Sequence, residues 1–208
     1  MATGPERPGA QRWVPPAGDV DALRRAAPGC RGCELWAGAT QVVFSVGSER
    51  ARIVLVGEQP GDREDRTGEP FVGPAGDVLA DALTAAGIER TAVYLTNAVK
   101  HFRFTERGRR RIHKTPGVAH VEACRPWLEA ELAAVGPAMI VCLGATAARA
   151  VLGREVRVGE VRGRALEGGA GARVVVTTHP SAVLRLRGKP GWDEAFDALV
   201  EDLRAAAG

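Results

Sequence analysis

The chain has 208 residues, 45% of them hydrophobic, and a formal net charge of only +3. That length and apolar content fit one globular domain with a real core. They exclude a broad aromatic platform for stacking RNA bases, since aromatics make up 5%. No apolar run is long enough to cross a bilayer and the N-terminus lacks a signal-peptide pattern, so a cytoplasmic protein without a membrane partner is expected. Residues 1–19, rich in Pro, Gly and Ala and without periodicity, read as a flexible tail, and residues 20–208 as a single domain. Asp21 to Ala27 is a short helix leading into Cys30-Arg-Gly-Cys33. In a cytoplasmic chain such a CxxC grips a metal or cluster rather than marking a disulfide.

Apolar strands and amphipathic helices then alternate. Arg52–Val56 is a buried strand, Ala75–Ala86 a helix, and Ala92–Thr96 a second strand. Thr115 and Pro116 read as the cap and first residue of a long helix through Val118–Val135. Met139–Leu143 is the third strand and Ala145–Leu152 a helix stopped by Gly153. Gly-rich residues 154–172 suit a small hairpin, Arg173–Thr178 is the fourth strand, and Trp192–Ala207 the closing helix. This order predicts a three-layer α/β/α sandwich around a central, mainly parallel four-stranded sheet.

Ligands in such folds bind beyond the carboxyl ends of the strands. Here those ends carry Gly57-Glu58-Gln59-Pro60-Gly61, Asn97, and His179-Pro180-Ser181, while Gly144-Ala145-Thr146 offers little chemistry. No GK[ST] or GxGxxG follows the first strand, and a carboxylate there repels phosphate, so Glu58 suits stabilising positive charge or orienting a nucleophile. Asp62 and Asp65 either add to that charge or are solvated. Phe71 is either core or a stacking face for a planar ring. Asn97 offers a donor and an acceptor on one amide, matching a pyrimidine edge, or is a structural Asn. His179 either donates to an anionic oxygen on a leaving base or caps a helix. Leu184 and Arg185 suit a wedge into, or a grip on, a duplex.

The run Arg109-Arg110-Arg111-Ile112-His113-Lys114 sets one imidazole among cations on what reads as a loop. Either it is a solvated charge run, or a DNA phosphate draws it in and the histidine arrives at the sugar. A locally basic, globally near-neutral chain is common among enzymes acting on DNA.

In these motifs the chain resembles the uracil-DNA glycosylase superfamily, above all its iron–sulfur branch (family 4) and, within that, the UdgX-type proteins. The likeness runs from about Cys30 to the last helix. Gly57-Glu58-Gln59-Pro60-Gly61 resembles the UdgX form of the first motif, and Pro70-Phe71-Val72-Gly73 the uracil-stacking segment. Thr96-Asn97-Ala98-Val99-Lys100 is similar to the stretch holding the uracil-reading Asn, and His179-Pro180-Ser181 to the second motif. Where UdgX-type proteins have Lys-Arg-Arg-Ile-His, this chain has Arg109 in place of the Lys.

The resemblance implies excision of uracil from single-stranded or double-stranded DNA by a monomer, which is then covalently attached to the abasic sugar. His113 would be the nucleophile, with Glu58 and His179 completing the catalytic set. Gly57, Gln59, Asp62, Phe71 and Asn97 would contact the substrate, and Arg109, Arg110, Arg111, Lys114, Ser181 and Arg185 the DNA. An ordinary multiple-turnover glycosylase, or a DNA-binding protein without catalysis, are the alternatives. Cys30, Cys33 and Cys124 match the family's cluster ligands, and His101 stands where the usual fourth cysteine would be. A structural [4Fe-4S] cluster is therefore expected, with zinc as the alternative and Cys142 left unliganded in a strand.

Overall fold

The run Ile53-Val-Leu-Val-Gly57 forms strand β2, the centre of a sheet whose residues alternate between two helical layers. The computed structural model describes residues 7–168 and 171–208. Strands β3 (Tyr94–Asn97) and β6 (Met139–Leu143) flank β2, and β8 (Arg173–Thr177) lies beyond β6, all parallel. Strand β1 (Ser45–Gly47) adds antiparallel to β3, and β7 (Ala165–Glu167) antiparallel to β8. The sheet thus has six strands, in the order β1-β3-β2-β6-β8-β7, and not the expected four. Both additions are three-residue edge strands, too short to carry an apolar alternation. The small hairpin expected within residues 154–172 is not formed there: that stretch supplies only β7, which pairs with the expected fourth strand β8, and residues 169 and 170 between them lie outside the described ones.

Val54, Val56, Tyr94, Ile140, Cys142, Val174 and Val176 face one core layer, with Leu23 of α1 (Val20–Ala26), Trp127 and Leu128 of α5 (Val118–Val135) and Ala148 of α6 (Ala145–Leu152). Leu55, Leu95, Val141, Leu143 and Val175 face the other, against α4 (Pro74–Ala85), α8 (Pro180–Leu184) and α9 (Trp192–Ala207). This is the three-layer sandwich that the alternation of elements predicts. Each fully buried Leu or Val contributes about 1.5–3 kcal/mol, so the two layers supply most of the driving force. Three short helices complete the chain: α2 (Leu35–Gly38), α3 (Asp62–Thr67) and α7 (Val158–Val161).

Of the expected loose tail, the described part packs on the domain. Residues 1–6 lie outside the described ones, but Ala10 is buried, and the Gly9 amide donates to Gly32 O at 3.0 Å. The arm therefore packs on the CxxC turn. Arg7 pairs with Glu34, and His120 Nε2 lies 3.0 Å from the same carboxylate. Burial alone would raise the Glu34 pKa, but these partners carry it down to about 2.

The arginine-rich segment is not a loop. It is a two-stranded hairpin, β4 (Phe104–Arg107) and β5 (Arg110–His113), turned by Gly108 at φ 60. Helix α5 is capped by Gly117, not Thr115, and His120 Nδ1 accepts from the Gly117 amide at 3.0 Å. Residues 114 and 115 instead close the hairpin: the Lys114 amide donates to Arg103 O, and Thr115 O accepts from the Arg103 guanidinium.

Candidate active site

The chain reverses direction across the sheet between β2 and β6, and the site is built on the carboxyl ends there. Glu58 follows β2, and its Oε2 accepts from Thr146 Oγ1 on the first turn of α6 at 2.7 Å. The third strand end therefore does contribute chemistry, contrary to the reading of Gly144-Ala145-Thr146 as inert. Thr146 holds the carboxylate with Oε1 turned towards His113, whose Nε2 lies 3.4 Å away, an ion-pair distance. His113 is 47% exposed, so the ring is open to a ligand.

Gly57, Asn97 and Phe71 stand together beside this pair. Glycine is required at position 57, because a Cβ there would stand 2.3 Å from Asn97 Oδ1 and 2.7 Å from the Phe71 ring. Asn97 is 2% exposed, with its Oδ1 turned towards Gly57. Phe71 has φ 57, the one positive value at a non-glycine residue among the described residues. Such strain persists only where the surroundings hold it. Two contacts do so: Arg90 donates to Phe71 O at 3.1 Å, and Gly76 lets α4 close so near that a Cβ would lie 2.0 Å from that oxygen. Glu64 ties the two loops together, accepting from the Gly61 amide at 3.1 Å and the Gly73 amide at 2.9 Å. The sequence reading missed Glu64, although the Gly61-x-x-Glu64 spacing at a helix start is a recognisable signal.

His179 sits against Gly144 at the end of β8. Its Nδ1 accepts from the Ser181 amide at 3.1 Å and lies 2.8 Å from Ser181 Oγ. The amide contact places the ring proton on Nε2, leaving that N–H as a donor. Burial, with the nearby charges of His113 and Arg185, lowers the His179 pKa to about 4. The ring is thus a neutral donor near pH 7. Ser181 is engaged in orienting it and does not stand free to meet DNA.

The hairpin carries His113, and period-two alternation decides what each residue does. Arg111 and His113 share its inner face, Arg110 and Ile112 the outer. Arg111 was expected to meet phosphate. Instead its Nε lies 2.5 Å from Asp62 Oδ1 and its Nη1 2.6 Å from Asp65 Oδ2, with 13% of the side chain exposed. The guanidinium also lies 5.0 Å from the Phe104 ring centroid and 5.5 Å from that of Phe102. Asp65 is fully buried, so breaking this pair costs about 3–5 kcal/mol. Asp62 is part of this tether rather than a substrate contact. Gln59, also expected at the substrate, braces the base of the hairpin: Nε2 donates to Arg103 O and Lys114 O, and Oε1 accepts from the Arg103 amide at 3.0 Å. Arg109, Arg110, Lys114 and Arg185 are exposed and have no ion-pair partner among the described residues. Leu184, the last residue of α8, is half-buried and packs against the core.

Cys30, Cys33 and Cys124 are buried and close enough for their charges to interact. Cys30 Sγ accepts from Trp127 Nε1 at 3.3 Å, and the Lys100 amide donates to Cys124, whose thiol burial pushes up to about 12. His101, next to Lys100, is buried and lowered to about 4 by burial and by Arg31 of the CxxC turn. N–H donors aimed at buried thiols, with a neutral imidazole beside them, fit a thiolate-held group. Among the described residues no three His, Cys, Asp or Glu side chains converge on a point fit for a single metal ion. Cys142 stands apart, in β6 within the apolar layer, where burial raises its thiol.

Residues 44–204 match the family model described as the uracil DNA glycosylase superfamily. The chain is 38% identical over 178 residues to the type-4 uracil-DNA glycosylase of Thermotoga maritima, an overlap of 85% of this chain and 87% of that protein. It is 37% identical over 172 residues to the type-4 enzyme of Archaeoglobus fulgidus, covering 79% of this chain and 83% of that protein. A type-5 uracil-DNA glycosylase of Pyrobaculum aerophilum is 31% identical over 198 residues, covering 84% and 79%.

Proposed function

The chain belongs to the uracil-DNA glycosylase superfamily, and we propose that it excises uracil from DNA and is then captured by the resulting sugar through His113. The observation that carries this reading is an imidazole on a braced hairpin, 3.4 Å from a carboxylate that directly follows the Gly57, Asn97 and Phe71 cluster. The base must leave the stack to reach that cluster. There Phe71 supports its ring and Asn97 reads its edge.

The N-glycosidic bond breaks with its electron pair going to the base. His179 Nε2–H and Asn97 stabilise the uracil anion, which takes a proton from water. Glu58 faces the positive charge left on the anomeric carbon, as carboxylates do in glycoside chemistry. The lone pair of His113 then forms the N–C1′ bond, and the imidazolium so made loses its ring proton to solvent. Exposed Arg109, Arg110, Lys114 and Arg185 hold the phosphates. A neutral N-alkylated imidazole is a poor leaving group, so the new bond persists and the protein is consumed.

Mixing the protein with uracil-containing single-stranded DNA and denaturing the mixture tests this. A shifted band that survives SDS and heat, at about one per protein, is the expected result. Free abasic DNA beyond one equivalent would indicate an ordinary multiple-turnover glycosylase, and intact uracil a binding protein.

Cys30, Cys33, His101 and Cys124 would hold a [4Fe-4S] cluster, joining the CxxC turn, the segment after β3 and α5. When bound, the cluster supplies a structural cross-link and no step of base excision. Purified protein should contain about four iron atoms and four acid-labile sulfides per chain. Cys142→Ala should keep them and Cys124→Ser lose them. One zinc per chain without iron would replace the cluster by a Cys3His zinc site.

A further inference from the structure

Next to Asn97 lies a charged pair that the mechanism does not use. Lys100 and Glu131 are 1% and 0% exposed and are paired through Nζ and Oε2. Glu131 Oε1 accepts from Tyr94 Oη at 2.8 Å and lies 2.9 Å from Thr96 Oγ1. Lys100 Nζ also donates to Thr96 Oγ1 at 2.6 Å and to the main-chain oxygen of Asn97 at 2.9 Å. All three ammonium protons are therefore used, one of them on the main chain of Asn97. The backbone N–H of Lys100 donates to Cys124. Glu131 and Cys124 stand seven residues apart on α5, which is two turns and one face of the helix.

Burying two charges is expensive, and an apolar pair of similar volume often serves stability as well or better. Stability alone therefore does not account for an ammonium at this point. We propose that Lys100 and Glu131 are positioning residues for base readout: anchored on α5, they fix the main chain of Asn97 and so aim its amide at the base. This rests on the reading of Asn97 as the base-reading residue.

The test is a mutant cycle in single-turnover uracil release, using the whole cluster-loaded protein. The variants are Asn97→Ala, the apolar pair Lys100→Met with Glu131→Leu, and all three changes together. The apolar pair should keep the melting temperature and iron content, yet release uracil at least about tenfold more slowly, as misplacement of about 1 Å in a reacting assembly does. Its affinity for an oligonucleotide carrying an abasic-site analogue, which offers no base to read, should not change. Adding Asn97→Ala should cost no more than Asn97→Ala alone, because all three residues act through one amide. Fully multiplicative losses, or wild-type release by the apolar pair, overturn the proposal. Should Asn97→Ala by itself leave release unchanged, the reading of Asn97 fails first and the proposal falls with it. If the apolar pair does not fold, the near-isosteric Glu131→Gln, alone and with Asn97→Ala, is judged by the same criteria.

Discussion

His113→Ser is expected to abolish the denaturation-resistant complex with uracil-DNA and to turn the protein into a catalyst that releases uracil repeatedly. The reason is competition for one carbon. An imidazole fixed beside the anomeric position acts at an effective concentration of about 10⁵ M or more, far above the ~55 M of water. Glu58, His179 and Asn97 are untouched by the substitution, so bond cleavage proceeds. The shorter serine leaves room for a water, which takes the cation instead. The fold should not suffer, because His113 is 47% exposed and the hairpin is held by Arg111 and Gln59 rather than by the imidazole. Adduct should fall from about one per protein to none, while abasic DNA accumulates beyond one equivalent. An undiminished adduct in the variant would show that another residue is the nucleophile, and loss of both adduct and release would show that His113 takes part in cleavage itself.

The tether explains why the sequence predicted a loop where the structure has a hairpin. The run of arginines hides the alternation that marks a strand, because Arg111 faces inward and is chemically the same as its outward neighbour Arg110. Only Asp62 and Asp65, about fifty residues earlier, make the inner face hospitable to a guanidinium, and that pairing is tertiary. The same holds for Thr146, whose role depends on α6 starting beside β2, and for Lys100 and Glu131, which meet only when α5 packs on β3. By contrast, the buried parallel strands and the helices between them were legible, because apolar runs and glycine stops are local. The places of Glu58, Asn97 and His179 at the strand ends, where this architecture concentrates chemistry, follow from the same local signals. Gln59 and Asp62 were noticed for their neighbourhood, but the structure gives them to the hairpin.

Glu58→Gln should behave differently from the serine variant, and the contrast fixes the order of events. The amide keeps the shape and the Thr146 contact, and removes only the charge. A carboxylate about 4 Å from a developing cation, at the effective dielectric of a half-buried site, is worth about 4 kcal/mol. That corresponds to about three powers of ten in rate. Access of solvent to Glu58, 19% exposed, trims the effect, so single-turnover uracil release should fall by about 10²–10³. Adduct formation should fall by the same factor, since capture follows separation of the base and no cation accumulates for His113 to meet. Affinity for DNA carrying an abasic-site analogue should stay within about threefold, because the substitution touches no phosphate contact. Rapid-quench measurement of both products from one reaction checks this directly. Release near the wild-type rate with the adduct alone diminished would mean that the carboxylate serves only to orient the imidazole. The 3.4 Å approach of His113 to Glu58 would then be its whole purpose. Equal loss of both products places the carboxylate in the bond-breaking step, where its charge has its largest effect before any new bond to His113 exists.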